Sequence, residues 1–347
     1  MSILMPTNDI SQLPNGVLVD RWGRPVTSVR ISLNSSERCN YRCIFCHNEG
    51  IYNDPEDLMT PEEIERIVRI LYRFGIDSVK LTGGEPMLRK DIIEIIRRIK
   101  NIGIKEISMT TNGTRFAQLA GELKKAGLDR VNISVHSLRP STYEFITGVN
   151  KFNEMINAIN AALEHQILPL KLNVVIMKNV NDNEINDMVQ FTAQLNKKGE
   201  TILQLIELVA EGAAANSPFF KKYYYNLSEI EKEIAKQAVK VERRKLHNRM
   251  KYYLSNGAII EFVKPMHNSE FCMGNNRIRI TYDGKFKPCL LRQDNHVDFI
   301  KAMRNGATDR ELEEIFKNAV RLREPFFKPG IGPTTTPQSR IFYTCTE

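Results

Sequence analysis

Three cysteines fall within eight consecutive positions, Cys39, Cys43 and Cys46, in the spacing C-x3-C-x2-C. Thiolates are soft ligands that suit iron–sulfur clusters or zinc. A structural zinc site takes four protein ligands, and His47, the neighbouring donor, is badly placed to share an ion with Cys46. Three thiolates on a four-iron cluster leave one iron open to a cofactor. A zinc knuckle and three free thiols are the plain alternatives. Further along, Thr82-Gly83-Gly84-Glu85-Pro86 combines glycines, which allow close backbone approach to a ligand, with a carboxylate that can accept from an ammonium group. By itself a Gly pair after a strand is only a turn. Cys272 and Cys289 flank a predicted hairpin, and Cys345 lies near the C-terminus. Clustered cysteines in a chain of this size point to metal rather than to a disulfide framework.

The elements that must position these residues alternate. Strands are expected over Ser28–Leu33, Ser78–Thr82, Glu106–Thr110, Arg130–Val135, Leu170–Met177 and Ile202–Val209. Helices are expected between them: Thr60 to Phe74, then Lys90–Lys100, Arg115–Lys125, Phe152–His165 and Asn183–Lys197. The first has Thr60 as N-cap, Pro61 at the first helical position and Glu63 completing a capping box. Six β/α units with right-handed crossovers give an α/β fold, a partial (β/α)6 TIM-like barrel. The cysteine loop follows the first strand, the Gly-Gly-Glu run the second, Thr110-Thr111-Asn112-Gly113 closes the third, and Ser134 and His136 end the fourth. Lys178 and Asn179 follow the fifth strand, and Glu211 and Gly212 the sixth. In barrel enzymes that C-terminal face carries the chemistry. Beyond it, Ser228–Asn248 reads as a long polar helix. Lys251–Leu254 and Ala258–Lys264 read as a strand pair, Arg277–Tyr282 and Lys285–Cys289 as a hairpin around Asp283-Gly284, and Thr308 with Glu311 as the cap of a last helix to about Leu322. The organisation expected is an extension over 1–27, the barrel over 28–225, a small C-terminal auxiliary-cluster and substrate region over 226–327, and a flexible tail over 328–347.

The net charge is +8, from 49 Lys and Arg against 41 Asp and Glu. It fits a solvated basic surface or an anionic partner such as a polyphosphate or nucleic acid, and stretches such as Lys240–Lys251 look like ordinary exposed helix faces. The first sixteen residues are broken by Pro6, Asn8, Asp9 and Pro14, so a signal peptide is not expected, and no apolar run spans a membrane. A cytoplasmic location is the default expectation.

The cysteine spacing, with Phe45 before the last thiol, resembles the radical S-adenosylmethionine (AdoMet) superfamily, and Gly83-Gly84-Glu85-Pro86 resembles its second landmark. More narrowly, Arg30-Ile31-Ser32-Leu33, Leu81 to Arg89, Thr110 to Gly113, Asn132-Ile133-Ser134, Lys171 to Val175, Arg277 to Thr281, Asp283-Gly284-Lys285 and Cys289-Leu290 are similar to the GTP 3′,8-cyclases of molybdenum cofactor biosynthesis, over roughly residues 23 to 325. His47 and Lys287 to Arg292 resemble archaeal members. The resemblance implies that Cys39, Cys43 and Cys46 hold a 4Fe–4S cluster on which AdoMet is cleaved. It implies AdoMet contacts from Phe45, Gly84, Glu85, Ser134 and Val209. It implies GTP contacts from Arg30, Lys80, Thr110, Lys171, Arg277, Ile278 and Arg279. Arginine forks also suit a triphosphate on chemical grounds.

The chain departs from the pattern. The family's second cluster uses C-x2-C-x13-C, and here Cys272 and Cys289 remain while Asn275 occupies the middle position. That second 4Fe–4S site is therefore expected to be compromised, with His267 or Cys345 as candidate replacement donors. Val209 stands where the family often has Met, and the chain closes on Tyr343-Thr344-Cys345-Thr346-Glu347 rather than Gly-Gly. The implied reaction is radical cyclisation of GTP to (8S)-3′,8-cyclo-7,8-dihydroguanosine 5′-triphosphate. A reducing electron donor would be needed upstream, and cyclic pyranopterin monophosphate synthase would take the product. A homodimer is compatible with this reading. The rival readings are a radical AdoMet peptide-modifying enzyme and a basic Fe–S or zinc module on RNA. The latter predicts steep salt dependence and has no need of the Gly-Gly-Glu loop.

Overall fold

Among the described residues, alternating five- to seven-residue apolar runs and amphipathic segments fold as one twelve-stranded sheet with helices packed outside it. The computed structural model describes residues 16–35, 37–50, 58–210 and 212–329. Residue 211, most of the proposed tail including Cys345, and most of the proposed N-terminal extension lie outside these.

The six expected strands form in order: β1 (Ser28–Ser32), β2 (Ser78–Thr82), β3 (Glu106–Thr111), β4 (Arg130–Ser134), β5 (Leu170–Ile176) and β6 (Thr201–Glu207), each parallel to the next. Their crossovers carry α1 (Pro61–Tyr72), α2 (Ile92–Asn101), α3 (Phe116–Ala126), α4 (Pro140–Thr147), α5 (Phe152–Glu164) and α6 (Ile185–Asn196). Thr60 and Glu63 form the reciprocal capping box that starts α1, satisfying donors the first turn would leave orphaned. Helix α4 was not anticipated. It is only eight residues long, starts at Pro140 and stops at Gly148, whose φ is +72°.

The C-terminal part is α7 (Pro218–Tyr223), α8 (Ser228–Gln237), β7 (Ala238–Arg243), β8 (Met250–Leu254), β9 (Ile259–Val263), α9 (Ser269–Met273), β10 (Arg277–Ile280), β11 (Lys285–Lys287), β12 (Val297–Asp298), α10 (Ile300–Arg304) and α11 (Asp309–Arg321). The expected long helix over 228–248 is corrected: it ends at Gln237 and the chain continues as β7, antiparallel to β8. Val239 and Val241 alternate with charged residues there, a period-2 pattern that β-branched side chains favour. The sheet order is β12-β11-β10-β1-β2-β3-β4-β5-β6-β9-β8-β7. Thus β10 pairs with β1 and β9 with β6, both parallel, and the C-terminal strands extend the barrel wall at both of its edges.

The strand period of two sorts the wall's residues. Val29, Ile31, Val79, Leu81, Ile107, Met109, Val131, Ile133, Leu172, Val174, Ile278 and Ile280 are buried among the helices. The residues between them face the barrel interior. Register places Arg279, Arg30, Lys80, Ser108 and Arg130 side by side across five adjacent strands. A row of four cations on neighbouring strands is destabilising unless something anionic meets it.

Candidate active site at the mouth of the barrel

The cysteine loop is pinned to three neighbours. Asn34 Nδ2 donates to the Glu85 carbonyl at 2.9 Å, and Leu33 N–H to the Thr82 carbonyl at 2.7 Å, tying it to the loop after β2. Asn40 donates to Thr114 Oγ1 at 2.9 Å and accepts from Asn112 Nδ2 at 3.0 Å, tying it to the end of β3. The N–H groups of Arg42 and Ile44 donate to the carbonyls of Thr147 and Ile146, both at 3.0 Å, tying it to α4. Cys39 and Cys43 are half-buried, Cys46 is exposed, and all three thiols are free. They lie close enough to act on one another electrostatically, and burial pushes the Cys39 thiol up to about 11 and Cys43 well above its ordinary value. Among the described residues no three His, Cys, Asp or Glu side chains close around a single metal ion. A cluster, whose irons sit at separate corners, does not ask that of them.

Gly83 and Gly84 have φ of +83° and +50°. A Cβ on Gly83 would lie 2.4 Å from Ser32 Cβ, and one on Gly84 would lie 2.3 Å from the Ser35 carbonyl oxygen. The glycines therefore let the β2 loop lie against the cysteine loop. The Glu85 carboxylate is buried and accepts from Met87 N–H at 2.9 Å, Thr111 Oγ1 at 2.7 Å and Asn112 N–H at 2.7 Å. Burial, only partly offset by these donors, raises it to about 7. Its oxygens brace β2 against β3 as the structure stands. Gly84→Ala is expected to destabilise the fold by about 1–2 kcal/mol for the left-handed backbone alone, with the clash added. Thermal unfolding of the variant beside Gly103→Ala, which meets only a Tyr72 side chain, measures the difference.

Inside the barrel a cavity of about 290 Å³ is lined by nine Lys and Arg side chains against two acids, Glu207 and Glu324. Arg30, Lys80, Lys171, Arg277 and Arg279 all face it, as does Thr110, so the basic residues singled out in the sequence converge there. Phe45 and Val209 also line it, and Phe45 packs edge-on against His136 at 4.7 Å. Ser134 ends β4 half-buried, and Gly84 lies against the Ser35 backbone of the cysteine loop. Ile278 is fully buried in the hydrophobic core, between Arg277 and Arg279 in the alternation, so only its backbone is available to a ligand.

Several cavity groups lack partners. Arg30 Nε, Thr110 Oγ1, Arg249 Nε and Arg279 Nη1 are buried with no hydrogen bond. Lys80 is buried, and the charges nearest it are those of Arg130, Arg30, Arg277 and Lys171; burial first and these cations second hold it well below the ordinary lysine range. Buried donors are normally satisfied, so this set is arranged for an anion rich in acceptors. Acids neutralise part of the basic lining: Glu106 meets Arg130 at 2.8 Å, Asp20 meets Arg24 at 2.9 Å, and Glu49 and Glu261 meet others. Glu49 accepts from Arg30 at 2.8 Å, Ser32 at 2.6 Å and Thr82 at 3.2 Å; burial pushes it up, but Arg30 and Arg279 outweigh that and hold it at about 2. Glu261, fully buried on β9, accepts from Lys171 at 2.8 Å and from Arg244 at 2.8 and 3.0 Å, with Arg249 at 3.7 Å. These three cations likewise overcome burial and keep it at about 2. Lys171, expected to contact GTP, is here half of a buried pair. Glu261→Gln is expected to cost roughly 3–5 kcal/mol, because three cations, among them Lys171, which is buried, and Arg249, which is nearly so, lose their counter-charge. Denaturant titration measures it, and inorganic triphosphate should restore part of the loss.

Comparison with known proteins gives the frame. A model described as "Radical SAM superfamily" matches residues 33–192, and one described as "Molybdenum Cofactor Synthesis C" matches 201–329. A probable GTP 3′,8-cyclase of Thermococcus kodakarensis is 52% identical over 315 residues, 90% of this chain and 100% of that one. Those of Thermoplasma volcanium and Methanocaldococcus jannaschii are 46% and 43% identical, covering 90% and 89% of this chain and 94% and 99% of their own. The chain belongs to the GTP 3′,8-cyclase family. Among solved structures, anSMEcpe with bound AdoMet aligns at TM-score 0.58 with 18% identity over 85% of this chain and 79% of that one. Streptococcus suis SuiB bound to S-adenosylmethionine aligns at 0.57 with 16% identity over 86% and 68%. At such identity these two speak for the partial barrel fold alone.

Membership of the GTP 3′,8-cyclases and of the radical AdoMet superfamily implies a 4Fe–4S cluster and AdoMet. The residues present fit them: three free thiols in a loop held rigidly at the C-terminal mouth, with Phe45 leading from it into the cavity. Among the described residues no helix is long and apolar enough to cross a membrane. Sequence reading missed Glu49, Arg130, Arg244, Arg249 and Glu261. Arg130 was legible as an inward position on an expected strand. Arg244 and Arg249 fell in or beside the stretch misread as a polar helix, where charge signals solvent.

Proposed function

We propose that this protein converts GTP to (8S)-3′,8-cyclo-7,8-dihydroguanosine 5′-triphosphate by radical AdoMet chemistry. The observation that carries this reading is the cation-lined cavity with unpartnered buried donors, reached from the three-cysteine loop. With AdoMet bound, the cluster held by Cys39, Cys43 and Cys46 supplies one-electron, hydrogen-abstracting chemistry. The protein's own residues bind and orient. Lys80 and Arg277, which make no ion pair among the described residues, and Arg279, which shares Glu49 with Arg30, are placed to neutralise a triphosphate where low dielectric strengthens each contact. Arg30 and Arg279 share Glu49 with the segment just after the cysteines, which fixes the substrate cations relative to the cluster loop. The enclosing wall excludes water from a reactive intermediate.

A peptide substrate would leave the buried cations unmatched, and an RNA-binding module would carry its charge on an outer face rather than inside the barrel. A small reducing electron-transfer partner would supply the electron, and cyclic pyranopterin monophosphate synthase would take the product. The test is an anaerobic reaction of reconstituted protein with AdoMet, dithionite and GTP, read for 5′-deoxyadenosine and the cyclised nucleotide. Deoxyadenosine without any GTP-derived product would sink the substrate assignment.

A further inference from the structure

Cys272 and Cys289 line the same cavity and are close enough to act on each other electrostatically. The donors expected to make up for Asn275 do not serve. His267 packs on Phe327 at 5.0 Å and lines a separate polar cavity with Glu207 and Lys264. Cys345 lies outside the described residues. The structure offers a different group, His247.

His247 lines the same cavity as both cysteines. Its backbone is held in the left-handed region at φ +60°, an expensive conformation for a side-chain-bearing residue. Three contacts impose it. Its N–H donates to the Gly274 carbonyl at 2.6 Å. Gly274 permits this approach, since a Cβ there would lie 2.8 Å from the His247 carbonyl carbon. The imidazole stacks on Phe271 at 4.0 Å, one residue before Cys272. The Asn275 side chain lies beside the ring and favours its protonated form, as an acceptor facing a ring N–H would. Asn275 Oδ1 is anchored in turn by Arg277 N–H at 3.0 Å.

This is the arrangement that metal-ligating histidines use. One ring nitrogen donates to a fixed carbonyl or carboxylate, which sets the tautomer, and the other is left to the metal. We propose that His247 is the third protein ligand of a second iron–sulfur cluster held by Cys272 and Cys289, with Asn275 as the residue that orients it. The middle position of the motif has changed role, from ligand to support of a ligand. Imidazole in place of thiolate on a cluster iron is chemically sound and raises the reduction potential. Zinc is the poorer fit: among the described residues, His247 and the two thiols do not close around one point. The proposal rests on the radical AdoMet reading only in expecting cluster loading at all.

The test uses the full chain with Cys39, Cys43 and Cys46 all changed to alanine, so that only the second site can load. The protein carries histidine labelled with heavy nitrogen and is reconstituted anaerobically with iron and sulfide. About four irons per chain are expected, and pulsed EPR of the reduced cluster should show strong coupling to the labelled nitrogen. His247→Ala should lose the coupling and most of the iron. Adding Asn275→Cys to it should restore the iron without the coupling, at a more negative potential. A reduced cluster with no nitrogen coupling, a His247→Ala variant that keeps its iron, or no iron at this site overturns the proposal. The unmutated chain is assayed separately with GTP. Nitrogen coupling without cyclised product would reject the functional reading and leave this one standing; product without coupling would do the reverse.

Discussion

Cys43→Ala is expected to reduce AdoMet cleavage to background while leaving the fold and GTP binding nearly unchanged. A three-thiolate cluster has no spare protein ligand, so losing one removes the fixed geometry on which AdoMet cleavage depends. The thiol itself supports little else. Cys43 is half-buried, its side chain is free, and the loop around it is held by backbone and by Asn40, Asn34 and Arg42 rather than by sulfur. Deleting one sulfur should cost no more than about 1 kcal/mol of stability. Deoxyadenosine release, iron content and thermal unfolding are the three readings. A variant that loses GTP affinity and unfolds early along with its iron would show that the loop is a structural centre, and the division drawn here between cluster loop and cation cavity would fail.

That division could be read from the sequence to a definite extent. The six β/α units were legible because each strand is a short β-branched run set between longer helical segments, the first of which begins on a recognisable cap, Thr60 with Glu63. The placement of the cysteine and Gly-Gly-Glu loops at strand C-terminal ends followed from that order. What failed was non-local or short. Nothing near β10 announces that it will pair with β1, nor near β9 that it will pair with β6, because both pairings close distances of many residues in sequence. Helix α4 and the strand β12 are too short for periodicity to register.

The site was legible on one criterion and obscure on another. Strand alternation carried Arg30, Lys80, Arg277 and Arg279 inward, and the same alternation shows why Ile278 belongs to the core. The acids were invisible, because an isolated Glu on a strand or loop looks solvated until its partners are known. Glu49 and Glu261 take their meaning from Arg30 and from Lys171, Arg244 and Arg249, which reach them from other elements. Glu85 was recognised by motif, yet its bonds to Met87, Thr111 and Asn112 show a brace that spacing alone does not reveal.

Lys80→Met should move stability and binding in opposite directions. Lys80 is buried on β2 between Arg30 and Arg130 in register, the charges that act most on it are cations, and Glu106, which feels its charge, is itself paired with Arg130. In the ligand-free protein its charge is a liability, so a methionine of similar length should stabilise the fold by roughly 1–4 kcal/mol. GTP should then bind about 30-fold more weakly or worse, equivalent to roughly 2 kcal/mol for a lost charge-assisted contact. The pH dependence separates this from a packing effect. Burial and the neighbouring cations lower the folded-state value well below 10.5, while the unfolded chain keeps the ordinary one. Between the two, the unfolded chain holds a proton that the folded chain lacks, so the stability of ligand-free protein rises with pH across that window. Lys80→Met should flatten that rise. Above the lowered value, a triphosphate draws the proton back, so GTP binding should take up a proton in the wild type and not in the variant. Titration calorimetry in buffers of different ionisation heat reads this directly. Equal proton uptake in both proteins, or a variant less stable than wild type at neutral pH, would mean that Lys80 is paired with a structural anion and does not await the substrate.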